Sequence, residues 1–141
     1  MLYLLDTNHV TEFGYSSEPG FRLLRRIDEA KAECVTSIIT VEEDLQGWLA
    51  RLNKVRHTDL QIEVYHRLEE RIQFFHRWVV LQLDRESLAQ FHAFRKQGYG
   101  RIGTQDLKIA CIALAHDATV LTRNVADFQQ IPGLRVENWL D

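Results

Sequence analysis

A chain of 141 residues fits one folding unit, residues 1–141, and buries about 68–70% of its unfolded surface, so a full core forms without disulfide or metal staples. Its composition, 45% hydrophobic and 26% charged, is that of a soluble globular protein and excludes collagen-like, disordered and low-complexity classes. Seventeen Lys and Arg against twenty Asp and Glu leave a net charge of −3, which excludes a protein held to a polyanion by bulk attraction: such a partner requires clustered basic side chains or masked acids.

Residues 2–5 form a short apolar run of strand length, ended by Asp6-Thr7-Asn8. Thr7 or Asn8 can cap a short helix toward Phe13. Residues 14–20 are a Gly, Ser and Pro loop, with Pro19 suited to the first turn of a helix that turns Phe21, Leu24 and Ile27 inward. Residues 34–39 are apolar and β-branched and predict a second strand. Thr40 is then the expected N-cap of a helix through Trp48 and Leu52, with Glu43 completing a capping box. After a turn at residues 53–58, Leu60, Val64, Leu68 and Ile72 predict a second helix, making a helical hairpin.

Residues 78–83 predict a third strand. Asp84 caps a helix with Leu88, Phe91 and Phe94 or Arg95 inward. Residues 97–103 hold three glycines and form a loop, and Asp106 then stands in the first turn of a buried helix that runs to about His116. A fourth strand at residues 119–122 precedes a short helix or turn at 124–130, which Pro132-Gly133 stops, and an edge strand at 134–136. Strands alternating with helices predict an α/β fold with a mostly parallel sheet, in which ligands bind beyond the carboxyl ends of the strands. Cys34 and Cys111 each sit inside an apolar run, as core fillers in a reducing compartment do. No stretch reaches the roughly 18 apolar residues of a membrane span, and the first residues lack the pattern of a signal peptide, so the expected location is cytoplasmic.

Four acids then need explaining: Asp6 after the first strand, Glu43 past the second, Asp106 at a helix start and Asp127 near the end. Each has a plain structural alternative, as an N-cap, a capping-box partner, a dipole contact or a surface group. In this topology one rim of the sheet would bring all four together. Clustered carboxylates raise one another's pKa unless a divalent cation intervenes, and oxygen donors without Cys or His favour Mg2+ or Mn2+.

The chain resembles the PIN-domain ribonucleases, specifically the VapC toxins of VapB–VapC toxin–antitoxin pairs. Four ordered blocks carry the resemblance: Leu4-Leu5-Asp6-Thr7-Asn8; Ser37-Ile38-Ile39-Thr40-Val41-Glu42-Glu43 with Gly47; Ile102-Gly103-Thr104-Gln105-Asp106-Leu107-Lys108-Ile109-Ala110; and Leu121-Thr122-Arg123-Asn124-Val125-Ala126-Asp127-Phe128 with Ile131-Pro132-Gly133-Leu134 and Val136-Glu137-Asn138-Trp139. The resemblance implies a three-layer α/β/α fold with a central sheet of four to five strands. It also implies an Mg2+- or Mn2+-dependent endoribonuclease that cuts RNA as a growth-arresting toxin, a VapB-type antitoxin and a homodimer.

Residue by residue, the resemblance makes Asp6, Glu43 and Asp106 the catalytic metal ligands, with Asn124 and Asp127 as further ligand candidates. Thr7, Asn8, Thr104 and Thr122 become groups that orient ligands and waters. Two features depart from the family pattern: Asp44 stands where Leu is usual, and the hairpin at 40–75 is long. Arg101, in a flexible basic loop leading to Asp106, is a candidate phosphate contact, and Arg51, Lys54, Arg56, Arg67, Arg71 and Arg77 either line an RNA path or form a solvated face. Two other classes fit parts of the pattern: a catalytically silent PIN-like binding module, suggested by Asn124 and the negative charge, and a phosphatase with Asp6 as nucleophile, which lacks the usual second carboxylate two residues on.

Overall fold

Strands β1 (Leu2–Leu5), β2 (Glu33–Ser37), β3 (Val80–Leu81), β4 (Thr119–Leu121) and β5 (Val136–Glu137) build one sheet in the computed structural model, which describes residues 1–141. The strand order is β3-β2-β1-β4-β5 and every pairing is parallel. Parallel neighbours need crossover connections, and helices supply them. Helices α1 (Thr7–Glu12) and α2 (Glu18–Ala30) join β1 to β2, and the hairpin α3 (Ile38–Lys54) and α4 (Thr58–His76) joins β2 to β3. From β3 the chain passes through α5 (Arg85–Lys96), a 3-10 turn at Tyr99–Arg101 and α6 (Thr104–Ala115) to β4, and α7 (Val125–Phe128) leads to β5.

Neighbouring strand side chains point to opposite faces, and this separates two cores. Leu4 and Val120 enter a core with Ile39, Phe94, Phe128 and the buried body of α6. Leu5 and Leu121, one residue on, enter another with Val10, Leu23, Phe75, Trp139 and Leu140. The result is the expected three-layer α/β/α arrangement, parallel throughout. Helix α6 is buried without a break from Ile109 to Ala113, which suits a helix covered on nearly all sides.

Several local expectations change. Strand β2 stops at Ser37, not at residue 39, because the Ser37 hydroxyl accepts the Thr40 N–H at 3.2 Å and caps α3 three residues earlier than expected. Thr40 becomes a fully buried residue inside the first turn, and Glu43 moves to the second turn, freed from any capping box. Strand β3 shrinks to Val80–Leu81, since it lies at the sheet edge and pairs only with β2, while Trp78 packs on Phe13 and Phe74 instead. Strand β5 falls at Val136–Glu137, after the predicted residues 134–136.

Some helix faces also rotate. Leu23 is the buried anchor of α2, while Phe21 and Leu24 are exposed; in α4, Phe75 is buried and Leu60 and Ile72 stay open. Leu88 of α5 is likewise exposed. Asp84 caps α5 and Asp106 stands in the first turn of α6, both as expected. Both cysteines are free thiols.

Candidate active site

The chain leaves β1 for β2 on one side and returns through β4 on the other, so the crevice beyond β1 and β4 is the topological switch point of the sheet. Asp6 is the first residue past β1, and its N–H donates to the Leu121 carbonyl at 2.9 Å. One carboxylate oxygen accepts the Thr7 N–H at 2.8 Å and caps α1. The other accepts the Thr122 hydroxyl at 2.9 Å. The cap and the buried acid, posed as alternatives by the sequence, are therefore the same residue, with Asp6 only 5% exposed.

Glu43 is drawn to the same place. Its Oε1 accepts the Thr7 hydroxyl at 3.0 Å across 36 residues of chain. The neighbouring Glu42 points away and accepts the Gln105 amide at 2.7 Å. Across the crevice, Asp106 accepts one N–H of the Asn124 amide at 2.9 Å, and Asp127 accepts from the same nitrogen at 2.9 Å. Ionised carboxylates have no hydrogen to give, so an amide between two of them must present its nitrogen. The Asn124 backbone N–H donates to the Thr122 hydroxyl oxygen at 3.0 Å, and a continuous chain of bonds thus runs from Asp6 through Thr122 and Asn124 to Asp106 and Asp127.

The other named residues lie outside this network. Asn8 accepts the Arg123 N–H at 3.2 Å and pairs with His9 Nδ1 at 2.8 Å. Since the Asn8 oxygen accepts, His9 Nδ1 carries the proton, and Nε2 accepts the Trp139 N–H at 3.1 Å. His9 is fully buried, and burial lowers its pKa to about 4. It is a neutral strut between α1 and the C-terminal segment, with no nitrogen left for a substrate. Thr104 bonds outward to Arg95 at 2.8 Å, and Arg101 is exposed at the end of the 3-10 turn with no hydrogen-bond partner for its side chain.

Asp44, the unusual acid beside Glu43, pairs with Arg71 of α4 at 2.9 Å, both largely buried, with the guanidinium stacked 4.3 Å from the Phe74 centroid. The sequence alone placed Arg71 either on an RNA path or on a solvated face, not in a buried ion pair. The available signal was its place on the stripe Val64, Leu68, Arg71, Phe75, an arginine on the inward face of α4.

The network is electrostatically tense. Burial raises the Asp6 carboxyl above its ordinary range, against the bonds from Thr7 and Thr122 that lower it. Burial also raises Glu43, eased by the Thr7 hydroxyl and reinforced by the charges of Asp6, Asp106 and Glu42. Asp106 is raised by burial and then by Asp6, with the Asn124 amide opposing and Asp127 adding to the rise. No three His, Cys, Asp or Glu side chains are gathered into a finished cage for an ion. The donors nevertheless suit one: all are hard oxygens, their mutual repulsion is relieved by a cation, and Mg2+ needs only one or two carboxylates because it keeps several waters.

A model described as PIN domain matches residues 3–134. The chain belongs to the PIN domain family. Ribonuclease VapC1 of Haemophilus influenzae strain R2866 is 30% identical over 147 aligned positions that cover 99% of this chain and 98% of the relative. Ribonuclease VapC2 of Rickettsia felis is 26% identical with the same coverage. The solved structure of VapBC-1 from nontypeable Haemophilus influenzae matches with a TM-score of 0.73 over 100% of both chains; at 23% identity that likeness is one of fold. Within this PIN domain the switch-point crevice is where the sheet topology and the acid network coincide.

Proposed function

We propose that this PIN domain is a metal-dependent endoribonuclease that hydrolyses RNA phosphodiester bonds and acts as the toxin of a toxin–antitoxin pair in the cytoplasm. The observation that carries the reading is the joining of Asp6, Glu43 and Asp106 through Thr7, Thr122 and Asn124 at the switch point. Full-length similarity to proteins named Ribonuclease VapC1 and VapC2 supports the substrate class.

In this reading Asp6 and Asp106 hold a Mg2+ or Mn2+ ion, with Glu43 beside them and Asp127, rather than Asn124, as the further acid. When bound, such an ion supplies Lewis acidity to the phosphate and lowers the pKa of an attacking water. The chain's own residues set the stage. Thr7 and Thr122 fix the Asp6 carboxylate, Thr7 turns Glu43 toward it, and Asn124 aims Asp106 while its nitrogen keeps Asp127 close. Glu43, with its raised proton affinity, is suited to taking a proton from the attacking water. A homodimer and a VapB-type antitoxin belong to the same proposal; no helix is long and apolar enough to cross a membrane.

The test is RNA cleavage by purified protein with added Mg2+. Asp6→Asn and Asp106→Asn are each expected to remove cleavage while retaining the wild-type circular dichroism spectrum. Full cleavage by either variant, or by wild type in EDTA, overturns the mechanism. A silent binding module would bind RNA without cutting it under any metal.

A further inference from the structure

The largest concavity of the molecule is not over the carboxylates. It is a groove of about 640 Å3 between α3, α4 and the turn ahead of α2, within the roughly 300–1,000 Å3 range of ligand sites. Four arginines line it, Arg51, Arg67, Arg71 and Arg77, against two glutamates, with Trp48 and Phe74 between them. On a chain of net charge −3 this is a local concentration of positive charge. The guanidinium of Arg51 lies 4.7 Å from the Trp48 ring centroid and that of Arg71 lies 4.3 Å from Phe74, so planar cations and rings alternate along the wall.

The charges are not used up within the chain. Arg67 pairs with Glu63 and Glu70, but Arg51 and Arg77 form no salt bridge. Arg71 gives its Nε to Asp44, while its Nη2 is buried without any acceptor. The groove shares helix α3 with Glu43. Asp44, Trp48 and Arg51 follow one face of α3, Asp44 is the residue after Glu43, and Arg51 lies about 12 Å further along the helix axis.

We propose that this groove binds a single-stranded segment of RNA, its phosphates on Arg51 and Arg77 and a base against the stacked arginine and aromatic planes. It thereby resolves how a net-negative chain holds a polyanion beside its own carboxylates. This rests on the ribonuclease reading above and adds the surface that presents the strand. Alternating rings and guanidinium planes match the stacking surfaces of bases, which tolerate any sequence. An acidic protein segment is the other anion of suitable size, and Trp, Tyr and Arg also anchor protein interfaces; the flat guanidinium and ring planes stacked at Arg51–Trp48 and Arg71–Phe74 favour bases.

The experiment measures binding of a fluorescent oligouridylate by anisotropy, in EDTA so that nothing is cut, across a salt series. The Arg51→Ala/Arg77→Ala protein is expected to bind about tenfold more weakly, with the slope of log affinity against log salt shallower by about 1.4 for two lost phosphate contacts. Arg51→Lys/Arg77→Lys, which keeps the charge and guards against a folding defect, is expected to restore the slope and only part of the affinity. Wild-type affinity and slope in the alanine variant overturn the groove proposal, and if wild type still cleaves RNA the ribonuclease reading stands alone. A poly-glutamate peptide that loses binding in the alanine variant while RNA binding is intact overturns the proposal in favour of an acidic protein partner. Wild-type protein that neither binds nor cleaves RNA overturns both.

Discussion

Asn124 decides the charge of the site with one amide. Its nitrogen gives hydrogens to Asp106 and Asp127, and its backbone N–H reaches Thr122, so it joins both halves of the network. The sequence offered it as a further ligand candidate; the fold turns the nitrogen of the amide toward the acids, because carboxylates only accept. Asn124→Asp is nearly isosteric and replaces those two donated bonds with a third like charge. The metal-free variant is expected to lose about 1–3 kcal/mol of stability. Added Mn2+ is expected to raise its melting temperature more than it raises that of wild type. Thermal melts with and without Mn2+ check this, and equal melting temperatures for the two metal-free proteins would contradict it. Asp6 and Asp106 were legible from the sequence as charges at the mouths of buried elements, whereas the partners of Thr7 and Thr122 lie 36 and 116 residues away and no local pattern reports them.

At the scale of elements, the start of α3 shows how a small competition places a functional group. Ile38 and Ile39 carry strand propensity, but the Ser37 hydroxyl captures the Thr40 N–H and starts the helix first. Glu43 is thereby rotated onto the face that meets Thr7, and Asp44 onto the face that meets Arg71. The Asp44–Arg71 pair then ties the two arms of the hairpin together. Asp44→Ala leaves a largely buried guanidinium with less than its share of acceptors, at an expected cost of about 1–3 kcal/mol in urea denaturation. Adding Arg71→Met to that variant is expected to recover most of the loss, since an apolar chain of similar volume needs no partner. A double variant no more stable than Asp44→Ala would show that the ion pair is not the cause. The hairpin itself was legible from spacing, but its inward face was not: Leu60 and Ile72 fit the apolar pattern and stay exposed because Phe75 and Arg71 set the rotation of α4.

Across the whole molecule, the metal ion proposed above would compete with protons for the same carboxylates. Asp6, Glu43 and Asp106 are all raised, so the folded chain holds more protons than the unfolded one from the ordinary carboxylate range up to the raised values. Their contribution to the metal-free fold is therefore complete below that range and lost as pH rises through it. His9 has the opposite sign. Its pKa falls from 6.5 to about 4, so its contribution is present above 6.5 and lost as pH falls toward 4. The gain in melting temperature on adding Mg2+ is expected to be largest near neutral pH and to shrink in mild acid as the three carboxyls take up protons. Scanning fluorimetry across a pH series with and without Mg2+ checks it; a gain independent of pH would mean that the ion binds elsewhere.

By itself the sequence determined the alternation of strands and helices, the burial of α6 and the four blocks that carry the acids, because apolar runs, turn residues and caps act over a few neighbours. Only the tertiary structure decided that Glu43 is held by the Thr7 hydroxyl, that Asn124 presents its nitrogen, that Asp44 is answered by Arg71, and that four of the hairpin's arginines share one groove. Those outcomes depend on the rotation of helices about their axes and on hydrogen bonds between distant segments, which are fixed only when the two cores close around the sheet.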